Sequence, residues 1–190
     1  MSGYLKVFFL CFAVGSCSFI NFDAPRNMDN ACSILQQRPS FDRAFQKTKR
    51  KWGAPIHVQM AILHQESKFI PNAKTPRKYF LGIIPWGRQS SAYGYAQALD
   101  GTWADYKKSS GRRFASRSNI HDATDFMGWY MQESRRRLGI KMSDVKNQYL
   151  AYHEGHGGFE RRSFRKKSWL LNVSDKVARR GNTYKKQLIR

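Results

Sequence analysis

Glu66 is the residue whose setting most clearly predicts chemistry. It lies near the end of an apolar segment, residues 61–69, with the sequence AILHQESKF. A carboxyl group beside core-facing positions is costly to ionise, so we expect its pKa to be raised. A glutamic acid that keeps its proton near neutral pH can act as a general acid and protonate the oxygen of a breaking bond. On its own this feature is weak, because a glutamate at a helix end is usually a solvated surface residue.

Other polar clusters predict little chemistry. His153, Glu154 and His156 are too irregularly spaced for ligands on one helix face, and the surrounding glycines favour a loop that could let backbone approach a ligand. We therefore expect no metal site and no organic cofactor. Cys32 has no evident partner, and an odd thiol of this kind is either free or pairs with another chain.

Three short motifs follow one another in the chain and change the weight given to Glu66. Residues 66–73 read ESKFIPNA, residues 91–97 read SAYGYAQ with a threonine at 102, and residues 151–155 read AYHEG. In this order they resemble the motifs of the soluble lytic transglycosylases. The resemblance covers about residues 50–160. It implies a lysozyme-like, mainly α fold that cleaves peptidoglycan, with glycan strands as the partner.

The resemblance also implies a reaction. Glu66 would donate a proton to the glycosidic bond between N-acetylmuramic acid and N-acetylglucosamine. It would then act as a base on the muramyl 6-hydroxyl, which attacks its own anomeric carbon. The product would be a 1,6-anhydromuramyl end, formed without water.

The motifs place several further residues at the substrate. Gln97 offers donor and acceptor groups for an acetamido or hydroxyl group, and Tyr152 could hydrogen-bond Glu66 or the sugar. Ser67 would support the catalytic loop, and Gly94 would allow a tight backbone approach to substrate. The expected substrate-binding residues are Ser67, Gly94, Tyr95, Gln97, Tyr152 and Glu154.

A second carboxylate would change the reaction. Hydrolytic glycosidases place two carboxyl groups roughly 5–10 Å apart. Glu154 could be that partner, with Asp100 and Asp105 as weaker options, so a water-using muramidase is an alternative. The chain also departs from the family pattern: His153 replaces the usual Asn, Asp100 stands where Pro is common, and 31 positions separate Glu66 from Gln97.

Helical patterns dominate the elements that must position these residues. Ser40 could cap a helix that ends at Gly53, and Pro55 suits the first turn of the next. Residues 122–138 have the clearest amphipathic spacing. Further helices are predicted over residues 103–108, with Thr102 as the cap, and from residue 143 onward, with Ser143 as the cap. A last helix is predicted over residues 169–180.

Residues 70–92 interrupt the helical pattern with three prolines and two glycines among them. We expect a loop-rich insertion next to the substrate cleft. Its aromatic and aliphatic side chains could cover the sugar groove, or could equally form a lid that packs on the core. The predicted architecture is a single lysozyme-like, mainly α domain over residues 40–190 with this insertion and a basic C-terminal helix.

The amino terminus predicts export. Residues 1–16 combine Lys6 with an apolar run of eight from residue 7 to 14, too short to span a bilayer and typical of a signal peptide. Residues 14–17, VGSC, resemble the lipobox of bacterial lipoproteins, which implies lipidation of Cys17 after cleavage. Residues 17–39 then read as a tether. We expect an envelope protein anchored to the membrane through Cys17, with Ser18 favouring the periplasmic face of the outer membrane.

Charge and composition limit the remaining classes. The chain of 190 residues has a net charge of +21 and 41% hydrophobic residues, too apolar for a disordered chain. Residues 161–190 hold 11 Lys and Arg and one Asp, which suits attraction to an anionic polymer. A basic polyanion-binding or nucleic-acid-binding envelope protein is therefore a second alternative. No nucleic-acid motif appears and the export signal argues against that partner, so we expect a monomer that binds no nucleic acid.

Overall fold

The computed structural model describes residues 24–81 and 83–189. These residues form seven α-helices, one 3₁₀-helix and one antiparallel β-hairpin, so the predicted mainly α architecture is confirmed. The predicted signal peptide and Cys17 lie outside the described residues. In chain order the elements are α1 Ala31–Gln37, α2 Pro39–Trp52, α3 Ile56–Ser67, β1 Arg77–Phe80, β2 Ile84–Arg88, α4 Asp100–Ser110, α5 Ile120–Leu138, α6 Val145–Glu160, the 3₁₀-helix Ser163–Lys166 and α7 Ser168–Leu188.

Glycines end three of the helices, the first of them at Gly53 as predicted. Gly53, Gly111 and Gly139 follow α2, α4 and α5 in left-handed backbone conformations, which glycine adopts without steric cost. The helix starts were predicted less well. Asn119 and Asp144, rather than Thr102 or Ser143, cap helix N-termini with their side chains.

Helix α1 corrects the predicted tether. It begins at Ala31, inside the 17–39 range, and both Ala31 and Ile34 are fully buried. The Ala31 amide donates to the side-chain oxygen of Gln187, 2.8 Å away in α7. The predicted tether is therefore wrong for residues 31–37, because α1 belongs to the core from its first residue.

The core surrounds α3, the helix that carries Glu66. Eight positions of α3 are buried: the seven consecutive residues from Val58 to His64, and Ser67. Helix α7 packs on one side of α3, and α6 and α5 also contact it. A helix buried around most of its circumference is rigid, which fixes the position of the side chains in its last turn.

Helix α6 contains the glycines that predicted a loop. Residues 145–160 are helical on both sides of Gly155, which alone within α6 has a non-helical backbone, with φ 71° and ψ 160°. The loop prediction is therefore wrong except at this break. The kink at Gly155 lets α6 change direction while Tyr149, Tyr152 and Glu154 keep helical spacing before it.

The 70–92 segment forms a short hairpin rather than a pure loop. Strands β1 and β2 pair in an antiparallel register, with Arg77 opposite Arg88 and a bulge between residues 77 and 79. Within the part of the chain that is described, no helix is both long and apolar enough to cross a bilayer.

Candidate active site

Glu66 lies in the last turn of α3, at the edge of the core. Burial raises the pKa of its carboxyl group from 4.5 to about 8, and the nearby Lys68 ammonium only partly opposes this. Among the described residues, no hydrogen bond or ion pair reaches the Glu66 carboxyl. The Glu66 side chain is partly exposed, but a carboxyl group with this raised pKa is mostly protonated at neutral pH.

The backbone turns sharply directly after Glu66. Lys68 and Phe69 both have positive φ values, 54° and 63°, a conformation that costs free energy for residues other than glycine. Phe69 is held there by burial, with its ring 5.9 Å from that of Phe41. The Ser67 hydroxyl donates to the Leu63 carbonyl oxygen at 3.3 Å. Ser67 therefore supports the end of α3 from within the core.

Two tyrosines of α6 lie within electrostatic reach of Glu66. Burial raises the pKa of Tyr149 and of Tyr152, and the Glu66 carboxylate raises both further. Tyr152 also donates a hydrogen bond from its hydroxyl to the Ala96 carbonyl oxygen. Tyr152, which belongs to the third motif, therefore lies between the other two. It is within electrostatic reach of Glu66 in the first motif and hydrogen-bonds Ala96, the residue before Gln97, in the second.

Gln97 of the second motif hydrogen-bonds Ala73, the last residue of the first motif. Its side-chain amide nitrogen donates to the carbonyl oxygens of Ala73, at 2.9 Å, and Gly94, at 2.8 Å. Gln97 itself has a positive φ of 48°. Because the amide nitrogen is engaged by backbone, the side-chain oxygen is the group left to accept a hydrogen bond from a ligand.

Gly94 and Tyr95 lie differently from the expectation. A Cβ on Gly94 would come within 2.2 Å of the Arg117 carbonyl oxygen, so the close approach at this glycine is to the protein's own backbone. Tyr95 is 9% exposed and packs edge-on against Phe41 at 5.7 Å. Both residues support the turn that carries Gln97, and their contact with a substrate stays a prediction.

Glu154 is an ionised carboxylate with its own partners. Burial would raise the pKa of Glu154, but hydrogen bonds from Lys167, Ser163 and His153 outweigh it and lower the pKa to about 2. The Lys167 ammonium lies 2.8 Å from one carboxylate oxygen, and the Glu154 side chain is 4% exposed. Only burial and Lys68 shift the pKa of Glu66, so the two glutamates do not act as a coupled pair.

Two adjoining cavities lie beside these residues. The smaller, about 190 Å³, is lined by Gln97, Tyr152 and Glu154. The larger, about 780 Å³, shares Thr102, Tyr130 and Gly155 with it. We call the two together the cleft. Glu66 does not line either cavity, and Tyr152 is the residue that links the acid to the cleft.

Several residues of the site were not identified from the sequence. Tyr149 precedes Tyr152 by three positions on the same helix, and this spacing could have indicated a shared face. The larger cavity is lined by Trp129, Tyr130 and His156, whose rings come from two helices. The His156 ring stacks on Tyr130 at 4.4 Å and contacts the Ser134 hydroxyl at 3.0 Å. No sequence motif marks these three.

The other acidic residues considered as a second carboxylate lie at the surface. Asp100 is 69% exposed and pairs with Arg117 at 2.7 Å. Asp105 is exposed at the larger cavity. Over residues 24–81 and 83–189, no group of three or more His, Cys, Asp or Glu side chains is arranged to hold a metal ion.

Comparison with known families gives one match of nearly full length. The family model described as "Transglycosylase SLT domain" matches residues 5–190. No curated protein matches the chain.

Proposed function

Because the chain belongs to the transglycosylase SLT domain family, we propose that it cleaves the bond between N-acetylmuramic acid and N-acetylglucosamine in peptidoglycan and leaves a 1,6-anhydromuramyl end. Family membership confirms the lysozyme-like fold expected from the motifs and indicates lytic transglycosylase activity on peptidoglycan. The anhydro product and the roles of individual residues are our proposal.

The feature that supports the proposal most is the raised pKa of Glu66, the glutamate of the first motif, in the last turn of the buried helix α3. With a pKa of about 8, the carboxyl group holds a proton at neutral pH and can deliver it to the glycosidic oxygen as the bond breaks. The resulting carboxylate then removes the proton from the muramyl 6-hydroxyl, whose oxygen attacks the anomeric carbon. One carboxyl group serves both steps, and the proton that it gives to the leaving sugar is replaced by the proton of the hydroxyl.

The state of Glu154 supports this single-acid scheme over hydrolysis. The second carboxylate of a muramidase must present an oxygen to a water molecule or to the sugar cation. Glu154 is engaged by Lys167, Ser163 and His153 at once. Its role is to hold the start of the segment after α6 against the cleft wall.

The lining of the cleft suits a glycan that carries acidic peptides. Trp129 is partly exposed and offers an aromatic face for a sugar ring, while Lys108, Arg136 and Arg137 line the same cavity. Aromatic rings pack on the apolar faces of sugars, and the cations would attract the carboxylates of the peptide stems. Gln97 and Tyr152 line the smaller cavity, and they would position the sugar whose glycosidic oxygen Glu66 protonates.

Location in the envelope is part of the proposal. The N-terminal apolar segment and the VGSC sequence at residues 14–17 support export and lipidation of Cys17. We expect the monomeric protein to act from the periplasmic face of the outer membrane. Labelling cells with a radioactive fatty acid would transfer label to the wild-type protein and not to a Cys17→Ala variant.

Product analysis tests the reaction. Purified sacculi are digested with the wild-type protein, Glu66→Gln and Glu154→Gln, and the soluble fragments are measured by mass spectrometry. We expect anhydromuramyl ends from the wild type and no fragments from Glu66→Gln. Reducing muramyl ends, heavier by one water, would contradict the proposal. Such ends together with loss of activity in Glu154→Gln would favour a muramidase.

A further inference from the structure

The β-hairpin exposes an unusual cluster of large apolar side chains. Leu81 and Ile83 at its tip are 79% and 81% exposed, and Tyr79, Ile84 and Trp86 are each more than half exposed. Monomeric soluble proteins rarely expose contiguous apolar side chains of this size without a binding role. We call these five residues the hairpin tip.

The hairpin stands away from the helical body. Tyr79 and Ile84 belong to successive cross-strand pairs and therefore lie on opposite faces of the hairpin. Both are exposed, so neither face packs on the core. This excludes the lid on the core that the sequence left open.

The base of the hairpin is fixed to the candidate site. Arg88 donates to the Thr75 carbonyl oxygen at 2.7 Å, and the Thr75 hydroxyl donates to the Ser90 carbonyl oxygen at 2.9 Å. Two residues before Thr75, the Ala73 carbonyl accepts the hydrogen bond from Gln97. These hydrogen bonds fix the hairpin relative to Gln97, so a partner bound at the hairpin tip has a fixed position relative to the cleft.

Basic side chains flank the hairpin tip. Arg77, Lys78 and Arg88 are exposed on the two strands, and residues 74–92 contain no Asp or Glu. An apolar tip above a ring of cations is the arrangement that binds an anionic membrane surface. Tyrosine and tryptophan favour the interface between lipid head groups and acyl chains.

We propose that the hairpin is a membrane-docking element that inserts its tip into an anionic phospholipid bilayer. Strands of four and five residues extend about 13–17 Å, and interfacial elements sink about 5–10 Å into the head-group boundary. Insertion of Leu81, Ile83 and Ile84 to that depth leaves Arg77 and Arg88 level with the phosphates. Docking orients the cleft relative to the membrane.

Two other occupants of the hairpin tip fit less well. A glycan is bound by aromatic faces together with hydrogen-bond donors and acceptors. Three of the five hairpin-tip side chains, Leu81, Ile83 and Ile84, are aliphatic and offer neither. A second copy of this chain would bring together two surfaces of a protein with a net charge of +21, which repel each other. An anionic bilayer satisfies both the apolar tip and the surrounding cations.

Flotation with lipid vesicles tests the proposal without peptidoglycan, so its failure is independent of the proposed enzymatic activity. The full chain carries Cys17→Ala, which removes the predicted lipid attachment. Vesicles contain equal parts of phosphatidylglycerol and phosphatidylethanolamine, or phosphatidylcholine only. In this background Leu81→Ser/Ile83→Ser should weaken partitioning to the anionic vesicles by on the order of tenfold or more. Arg77→Gln/Lys78→Gln should weaken it by about fivefold per cation.

Two matched controls separate docking from general stickiness. Phe114→Ser removes another apolar side chain, 99% exposed and distant in sequence from the hairpin, and Lys47→Gln/Arg50→Gln removes two exposed cations from α2. Both should bind anionic vesicles like the parent. Residues 1–16 are present in every variant, so any binding that they contribute is the same throughout. Equal binding of Leu81→Ser/Ile83→Ser and the parent would overturn the proposal.

The rival occupants give their own outcomes. If Leu81→Ser/Ile83→Ser binds vesicles normally but loses retention on sacculi, the hairpin contacts glycan and the proposal is wrong. If the parent sediments as a dimer in lipid-free buffer and the variant as a monomer, the hairpin tip joins two copies and the proposal is equally wrong.

Discussion

Glu66 acquires its chemistry from where α3 ends. The helix is buried on most of its faces, so its last turn carries a carboxyl group into surroundings with few polar partners. The protonated form therefore predominates at neutral pH. The free energy that the fold loses by burying this acid is the cost of having a proton donor ready beside the cleft.

That cost predicts a pH-dependent stability difference between the wild type and Glu66→Gln. From pH 4.5 to about 8 the folded protein keeps the Glu66 proton while the unfolded chain has lost it. Raising the pH over this range therefore lowers the wild-type free energy of unfolding by about 1.4 kcal/mol per pH unit. Glutamine has no proton to lose and escapes this loss.

Urea unfolding of both proteins at several pH values provides the measurement. The stability of Glu66→Gln relative to the wild type should rise between pH 5 and 8 and then level off. A difference that does not vary with pH would mean that Glu66 titrates normally in the folded protein.

Tyr152 should matter more than its neighbour Tyr149. Tyr152→Phe removes the hydrogen bond to the buried Ala96 carbonyl, which should lower the free energy of unfolding by about 1–2 kcal/mol. Sacculus cleavage should fall on the order of tenfold, because Gln97 follows Ala96 directly. Tyr149→Phe is the matched control, since no hydrogen bond from the Tyr149 hydroxyl is present among the described residues. Equal effects of the two substitutions would contradict this role.

The turn that carries Gln97 depends on a close approach between two segments. The Gly94 backbone passes against Arg117, and its φ of 80° disfavours other residues. Gly94→Ala should lower the free energy of unfolding by about 2 kcal/mol or more and displace Gln97 from the cleft. Gly101→Ala, in α4 with open space around it, should instead be neutral or stabilise by up to about 1 kcal/mol. Similar thermal melting for both variants would argue against the close approach.

The helices were predictable where periodicity and glycine caps agreed. Apolar spacing over residues 122–138 and the glycine at 139 locate α5 to within two residues at its start. Helix α1 escaped prediction because seven residues are too few to show a period. The continuation of α6 past Gly155 escaped it because glycine propensity argues for a loop, whereas packing of the following segment keeps it helical.

The sequence predicted the motif residues of the candidate site but not the residues that line its larger cavity. Glu66, Gln97 and Tyr152 were identified from short patterns, and hydrogen bonds through Ala73 and Ala96 connect those patterns in space. Tyr95 has the same motif membership but faces the core, which a motif cannot reveal. The aromatic lining of the larger cavity comes from packing between α5 and α6, a long-range property that no local pattern encodes.

The basic C-terminal segment is part of the fold as well as a charged surface. In α7, Leu170, Val177 and Tyr184 are buried against the rest of the core, while Lys176, Lys185 and Lys186 are exposed. The buried face packs on α3, so the segment is part of the core. The exposed face is available for attraction to an anionic polymer.

Binding of the inactive Glu66→Gln protein to sacculi should therefore weaken with salt. Adding Lys176→Gln/Lys185→Gln/Lys186→Gln should reduce binding several-fold at low ionic strength and have little effect at about 0.5 M salt, where charges are screened within a few ångströms. Unchanged melting temperature would show that the fold survives. If neither salt nor these substitutions changes the binding to sacculi, the net charge of +21 does not guide the protein to its substrate.

The ionisation of Glu66 is the property on which the account depends, and carbon NMR can measure it directly. The protein is labelled with glutamate carrying ¹³C in the side-chain carboxyl, and the Glu66 resonance is identified by its absence in Glu66→Gln. We expect this resonance to titrate with a pKa of about 8. A midpoint near 4.5, the ordinary value for the group, would leave Glu66 ionised at neutral pH and contradict its role as the proton donor.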